Sequence, residues 1–168
     1  MTTLDKDDVR QLLVKSWMTH DAMWFRHCVE ECGIEQTNRI NKAAVRSMAA
    51  IEIRRLTEAL GFGEVRTMRA LRELIEAAWE LISADFMGFE VSHPAPTVIR
   101  WDVPRCFAFE GVTRLGVVDR YECGIFPRLE AWFDTLDIAY TVTPAVHGCL
   151  MQAGEACYRE YAFDLPEG

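Results

Sequence analysis

The chain offers acid–base groups in its first half and soft thiol ligands in its second. His20, Trp24, His27 or Cys28, and Glu31 recur at steps of three and four, so a helix would carry them on one stripe, with Asp21 alongside. Asn38, Asn41, Val45, Met48, Glu52 and Arg55 keep the same spacing further on. Glu52 stands in Met48-Ala49-Ala50-Ile51-Glu52-Ile53, the least polar surroundings of any carboxylate in this half. A carboxylate placed there needs a cation or hydrogen-bond donors, or its pKa rises. If two helices pack antiparallel, His20 and Asp21 could meet Glu52 and exchange protons with a bound molecule. Trp24, Asn41, Arg55 and Arg114 are then candidates for holding it. A satisfied polar pair that merely bridges two helices would use the same residues.

The thiols suggest a second chemistry. Six cysteines are present; Cys28 and Cys32 lie four apart in a helical stretch, while Cys106, Cys123, Cys149 and Cys157 are spread over the second half. With His147, these four could hold zinc or iron if the fold gathers them. No Cys-x-x-Cys pair occurs, so the spacing does not itself declare a metal module. Cys123 or Cys149 could instead act as a nucleophile, given a neighbouring cation that lowers its pKa. Buried, inert thiols are the third reading.

Other chemistries lack their motifs. The sequence contains no GxGxxG, Walker loop, GxSxG, HExxH or CxxCH, and no Glu-x-x-His in any helical stretch, which leaves nucleotide cofactors, an α/β-hydrolase, a zincin, a di-iron bundle and covalent haem without support.

These groups must be positioned by a chain of 168 residues, half of them apolar and 26% charged, which suits one core and one domain. The first half reads as helices. Thr3 or Asp5 can cap one that runs to Gly33, with Asp7 and Asp8 in its first turn. A second is expected over about 34–60 and a third over about 64–84, with short links that favour an antiparallel three-helix bundle. From Asp85 the texture changes. Residues 86–91 and 97–103 read as a hairpin around Ser92-His93-Pro94-Ala95-Pro96, 106–114 and 123–136 as helices, and 139–143 and 157–163 as strands. The expectation is a single α+β domain, 1–168, with a helical half (1–84) packed on a mostly antiparallel sheet of about four strands in the other half (85–168).

Charge narrows the partners. The net charge is −8; residues 1–85 hold 12 basic against 14 acidic groups (net −2), and 86–168 hold 6 against 12 (net −6). An acidic chain does not suit nucleic acid. No apolar run spans a bilayer and the first residues lack a secretory pattern, so a cytoplasmic address and no membrane association are expected. The partners expected are a small-molecule ligand and, allowed but not required, a second copy in a homodimer.

Taken together, His20-Asp21-x-x-Trp24-Phe25, Glu30-Glu31-x-Gly33, Ile51-Glu52-x-x-Arg55, Val103-x-x-Cys106, Arg114-x-Gly116, Cys123-Gly124, Trp132-Phe133, Cys149 and Cys157-x-x-x-Tyr161-x-Phe163 resemble a family of small cytosolic proteins of unknown function from bacteria and archaea, over nearly the whole chain. More distantly the chain is similar to the aminothiazoline-carboxylate hydrolase family, and that resemblance implies hydrolytic opening of a sulfur-containing ring. In one place it departs from the pattern. His147-Gly148-Cys149-Leu150-Met151 stands where the resemblance implies Cys-x-x-Cys-Pro-Pro, so one thiol is missing and His147 is the nearby substitute.

The functional expectation is therefore a small-molecule enzyme, a hydrolase with an acid–base site between the first two helices. The alternative is a non-catalytic, sensor-like domain that binds a ligand or metal through a Cys/His site. A third reading is an interaction protein whose acidic second half meets a basic partner.

Overall fold

The computed structural model describes residues 3–146 and 148–168. Helix α1 covers Lys6–Ala59, and α2 covers Met68–Ile82. Strands β1 (Gly88–Ala95) and β2 (Val98–Arg105) form the hairpin; α3 (Phe107–Arg114), a short 3-10 turn (Val118–Arg120), α4 (Ile125–Thr135), β3 (Tyr140–Thr143) and β4 (Tyr158–Phe163) follow. The fold is α+β, with four α-helices and a four-stranded antiparallel sheet in the order β1-β2-β4-β3.

Asp5 caps α1 in a reciprocal box. Its carboxylate accepts from the Asp8 N–H at 2.8 Å, and the Asp8 carboxylate accepts from the Asp5 N–H at 3.3 Å. Gly33 then interrupts the helix with φ 76° and ψ 167°, a conformation only glycine adopts without strain. The expected boundary between the first two helices is therefore a kink within α1. The expected three-helix antiparallel bundle is not found in that form: α1 packs chiefly on α4 and touches α2 only slightly. The reason lies in which faces are apolar. Leu71, Leu74, Ile75 and Ala78 of α2 enter the common core, while Ala49, Ile53 and Leu56 of α1 meet the same core beside Leu129, Trp132 and Phe133 of α4.

Strand β2 alternates as its sequence predicts, with Ile99, Trp101 and Val103 buried and Arg100 and Asp102 half-buried on the other face. On that outer face Arg100 bonds both Asp102 and Glu160 and lies 4.0 Å from the Tyr158 ring. A smaller core of Ile34, Val112, Val117 and Tyr121 ties the kink region to α3 and the loop after it. Buried Asn38 latches it by donating to the Arg120 carbonyl at 2.8 Å and accepting from the Glu122 N–H at 3.2 Å.

Among the described residues, no helix is long and apolar enough to cross a membrane.

Candidate functional site

Two neighbouring hollows share a partition, and the larger opens beneath α1. The larger is a cavity of about 200 Å³. Trp17, Asp21 and Phe25 line it from the first stretch of α1, and Asn41, Val45 and Met48 from the second. Each set recurs at three or four residues, so one helix face supplies it. Trp79 of α2, Phe89 of β1, Trp101 of β2, Phe107 and Gly111 of α3, Tyr121, and Arg128 and Leu129 of α4 complete the walls. The lining is largely aromatic and aliphatic, with few polar groups.

Those polar groups are informative. Arg128 holds Glu52 through Nη2–Oε1 at 2.5 Å and Nε–Oε2 at 2.8 Å, and Trp132 Nε1 donates to the same carboxylate at 3.1 Å. The pair is 17% and 12% exposed, and the guanidinium lies 5.0 Å from the Trp17 ring. Glu52 thus has the cation and donors its apolar surroundings require, but they come from α4. Trp101 is fully buried and its indole N–H has no partner. Partial burial raises the Asp21 carboxyl from its ordinary value, against the opposing pull of His20 and Arg128.

The smaller hollow, about 10 Å³, is lined by Cys106, Cys123, Cys149, Cys157 and Arg159, with Val103, Phe126 and Leu150 among the apolar neighbours. Ala108, Tyr121 and Ile125 line both hollows and form the partition. All six cysteines are free thiols. Cys106 caps α3, its sulfur accepting from the Phe109 N–H at 3.4 Å. Cys123 lies just before α4. Burial pushes the Cys106 thiol up to about 11 and the Cys157 thiol up to about 12, and raises Cys123 too. Among the described residues, no group of three His, Cys, Asp or Glu side chains is set to hold a metal ion as it stands. His147 lies outside the described residues.

The expected site residues divide accordingly. Asp21 and Asn41 line the large cavity, and Cys106, Cys123, Cys149 and Cys157 share the small one. Glu52 reaches the cavity wall only through Arg128. His20 is exposed, 3.7 Å from Asp21, and accepts from Trp24 Nε1 at 3.1 Å. No hydrogen bond among the described residues joins it to Glu52. Trp24 is 63% exposed, Arg55 is exposed, and Arg114 pairs with Glu110 at 3.2 Å on the surface of α3.

The sequence reading passed over Trp17, Trp101, Arg128 and Arg159. Two of these left a trace. Arg159 alternates with Tyr161 and Phe163 on the buried face of β4, and Arg128 interrupts an apolar helix face; a cation in either position needs an explanation.

No curated protein and no solved structure matches the chain. A family model described as a family of unknown function, DUF6125, matches residues 2–106, which takes in α1, α2 and the hairpin. The chain belongs to that family.

Proposed function

We propose that this protein binds a small, uncharged, ring-sized molecule in the cavity under α1. The observation that carries this reading is a largely apolar hollow of about 200 Å³, walled by aromatic and aliphatic side chains from α1, α2, the hairpin, α3 and α4. Volume limits the ligand: an apolar cavity of about 150 Å³ accepts benzene, so about 200 Å³ suits one substituted ring. Charge limits it too. The Arg128 fork is already filled by Glu52 and Asp21 faces the same space, so an anionic ligand finds no free cation there.

Turnover of that molecule is a second reading, favoured by Asp21. It is a rim carboxylate with a raised pKa beside His20, the kind of group that takes a proton from water in hydrolysis. The distant resemblance to a ring-opening hydrolase agrees with it. In this version Asp21 and His20 carry the chemistry, and Glu52 positions Arg128 in the wall.

The test uses a built-in vacancy. Gly111 lines the cavity, and a Cβ added there meets nothing within 4 Å. Neutral single-ring compounds should raise the melting temperature of the wild-type protein saturably and quench tryptophan emission. Gly111→Leu should abolish both responses while the protein stays folded. If the variant responds like wild type, the ligand does not occupy this cavity.

A further inference from the structure

We propose that residues 6–32, the first stretch of α1, form a hinged arm that swings on Gly33 and closes over the ligand in the larger cavity. The closing step rests on the reading of that cavity as a binding site; the hinge does not. Gly33 is the one non-helical residue inside α1, at φ 76° and ψ 167°. A Cβ added there would meet only the Glu35 carboxylate, at 3.8 Å, so no other element packs against that side of the joint. Glycine also moves between such backbone conformations at the least steric cost. The two sides of the joint are anchored very differently. Residues 34–59 bury Ile34, Thr37, Asn38, Ala49, Ile53 and Leu56, whereas residues 6–32 bury only Val14. Stretches with few buried contacts are the first to open.

A small polar latch fastens the far end of the arm. Gln11 and Asp85 exchange two hydrogen bonds, Gln11 Nε2 donating to Oδ1 at 2.8 Å and the Asp85 N–H donating to Oε1 at 3.0 Å. Arg10 donates to the Ser83 carbonyl beside them. The Gln11–Asp85 bonds are solvent-exposed, so water replaces each one when the latch parts. Between latch and hinge, Trp17, Met18, Asp21, Ala22 and Phe25 form a wall of the cavity. Asn41, Val45 and Met48 line the same cavity from beyond the hinge and stay with the body. The Trp17 ring lies 5.0 Å from the Arg128 guanidinium, and Phe25 sits edge-on to Tyr121 with ring centroids 5.8 Å apart. These contacts exist only while the arm is closed. The same holds for contacts between a ligand and Trp17 or Phe25, and that difference between the two states lets binding draw the arm shut.

Detached from the body, the arm is a lone helix in water, which is marginal in stability, so opening exposes its amides to exchange. Hydrogen–deuterium exchange on the full-length, ligand-free protein should therefore be faster in residues 12–32 than in 34–59. Gln11→Ala should speed exchange in 12–32 about tenfold, the effect of losing two exposed hydrogen bonds, and leave 34–59 unchanged. A neutral single-ring compound that raises the melting temperature should, at saturation, slow exchange in 12–32 more than in 34–59. Arm amides as protected as those of 34–59 and indifferent to Gln11→Ala would overturn the hinge. A compound that binds but leaves exchange in the arm unchanged would overturn the closure while the cavity keeps its ligand. If no such compound binds, the ligand reading fails and closure fails with it, whereas the ligand-free exchange alone decides the hinge.

Discussion

Glu52 on α1 and Arg128 on α4 meet in two parallel hydrogen bonds of 2.5 and 2.8 Å, with the Trp132 indole N–H donating to the same carboxylate. This links the two helices that pack most closely and fixes one wall of the cavity. Removing one partner leaves the other charge nearly buried and unpaired. Glu52→Ala should therefore destabilise the protein by about 3 kcal/mol in denaturant unfolding. The double variant Glu52→Leu, Arg128→Leu should recover most of that loss, because two apolar groups replace the charges together. A Glu52→Ala protein with wild-type stability and no turnover would instead make Glu52 a catalytic group.

Gly111 tests the cavity from the side of stability. It lies within α3 in a conformation open to any residue, with space beside it. Gly111→Ala should stabilise the protein by about 0.5–1 kcal/mol, since alanine restricts the unfolded chain and favours helix. Calorimetry of the ligand-free protein measures this. A loss of stability would mean that the space beside Gly111 is closed in solution.

Much of this was legible in the sequence because the signals were local. The alternation of Val98–Val103 and the capping carboxylates before α1 act within a few residues, and those elements form where their patterns fall; the glycine at position 33 marks a kink within α1 rather than the end of a helix. What the sequence could not show is which elements meet. Glu52 reads as needing a cation, but nothing local tells that the cation is Arg128 rather than a group on the first stretch of α1. The thiols show the converse. Their wide spacing hides their proximity, because the return of β4 between β2 and β3 brings Cys157 back toward Cys106.

The thiols also predict how stability responds to alkali. Cys106 and Cys157 titrate near 11 and 12 in the folded protein, against an ordinary value of 9.0. The unfolded chain therefore loses these protons first. Stability should be complete below pH 9 and fall progressively from pH 9 toward 11–12. Unfolding curves across this pH range measure the effect, and Cys106→Ala, Cys157→Ala should flatten it. A wild-type profile that is flat from pH 9 to 12 would show that these thiols titrate alike in the folded and unfolded chain.

Asp21 gives ligand binding a pH dependence of its own. Partial burial raises its pKa above 3.8, so its neutral form is favoured in the folded protein and its contribution to stability declines as pH rises through the folded value. A neutral ligand displaces water from the cavity and raises that pKa further. Binding should therefore tighten as pH falls through the titration of Asp21, and Asp21→Asn should remove the dependence. Affinity that is flat with pH in the wild-type protein would place the ligand away from this carboxylate.

The first stretch of α1 is apolar on two sides. Trp17 and Phe25 face the cavity, while Val9, Leu12, Leu13, Met23 and Trp24 lie exposed on the other side over a helix of about 40 Å. Such a stripe in water calls for a partner, and its sequence is complementary to itself. Pairing two copies antiparallel about Met18 sets Leu12 and Leu13 against Met23 and Trp24 of the partner subunit. The same pairing brings Lys6 toward Glu30 and Glu31 of the partner subunit. A homodimer through this face is the expected state, and light scattering should show twice the mass of 19.2 kDa. Leu13→Glu places like charges opposite an apolar surface on both sides and should give a folded monomer. A wild-type protein that stays monomeric at high concentration, or a Leu13→Glu protein that stays dimeric, would leave this stripe without the role assigned to it.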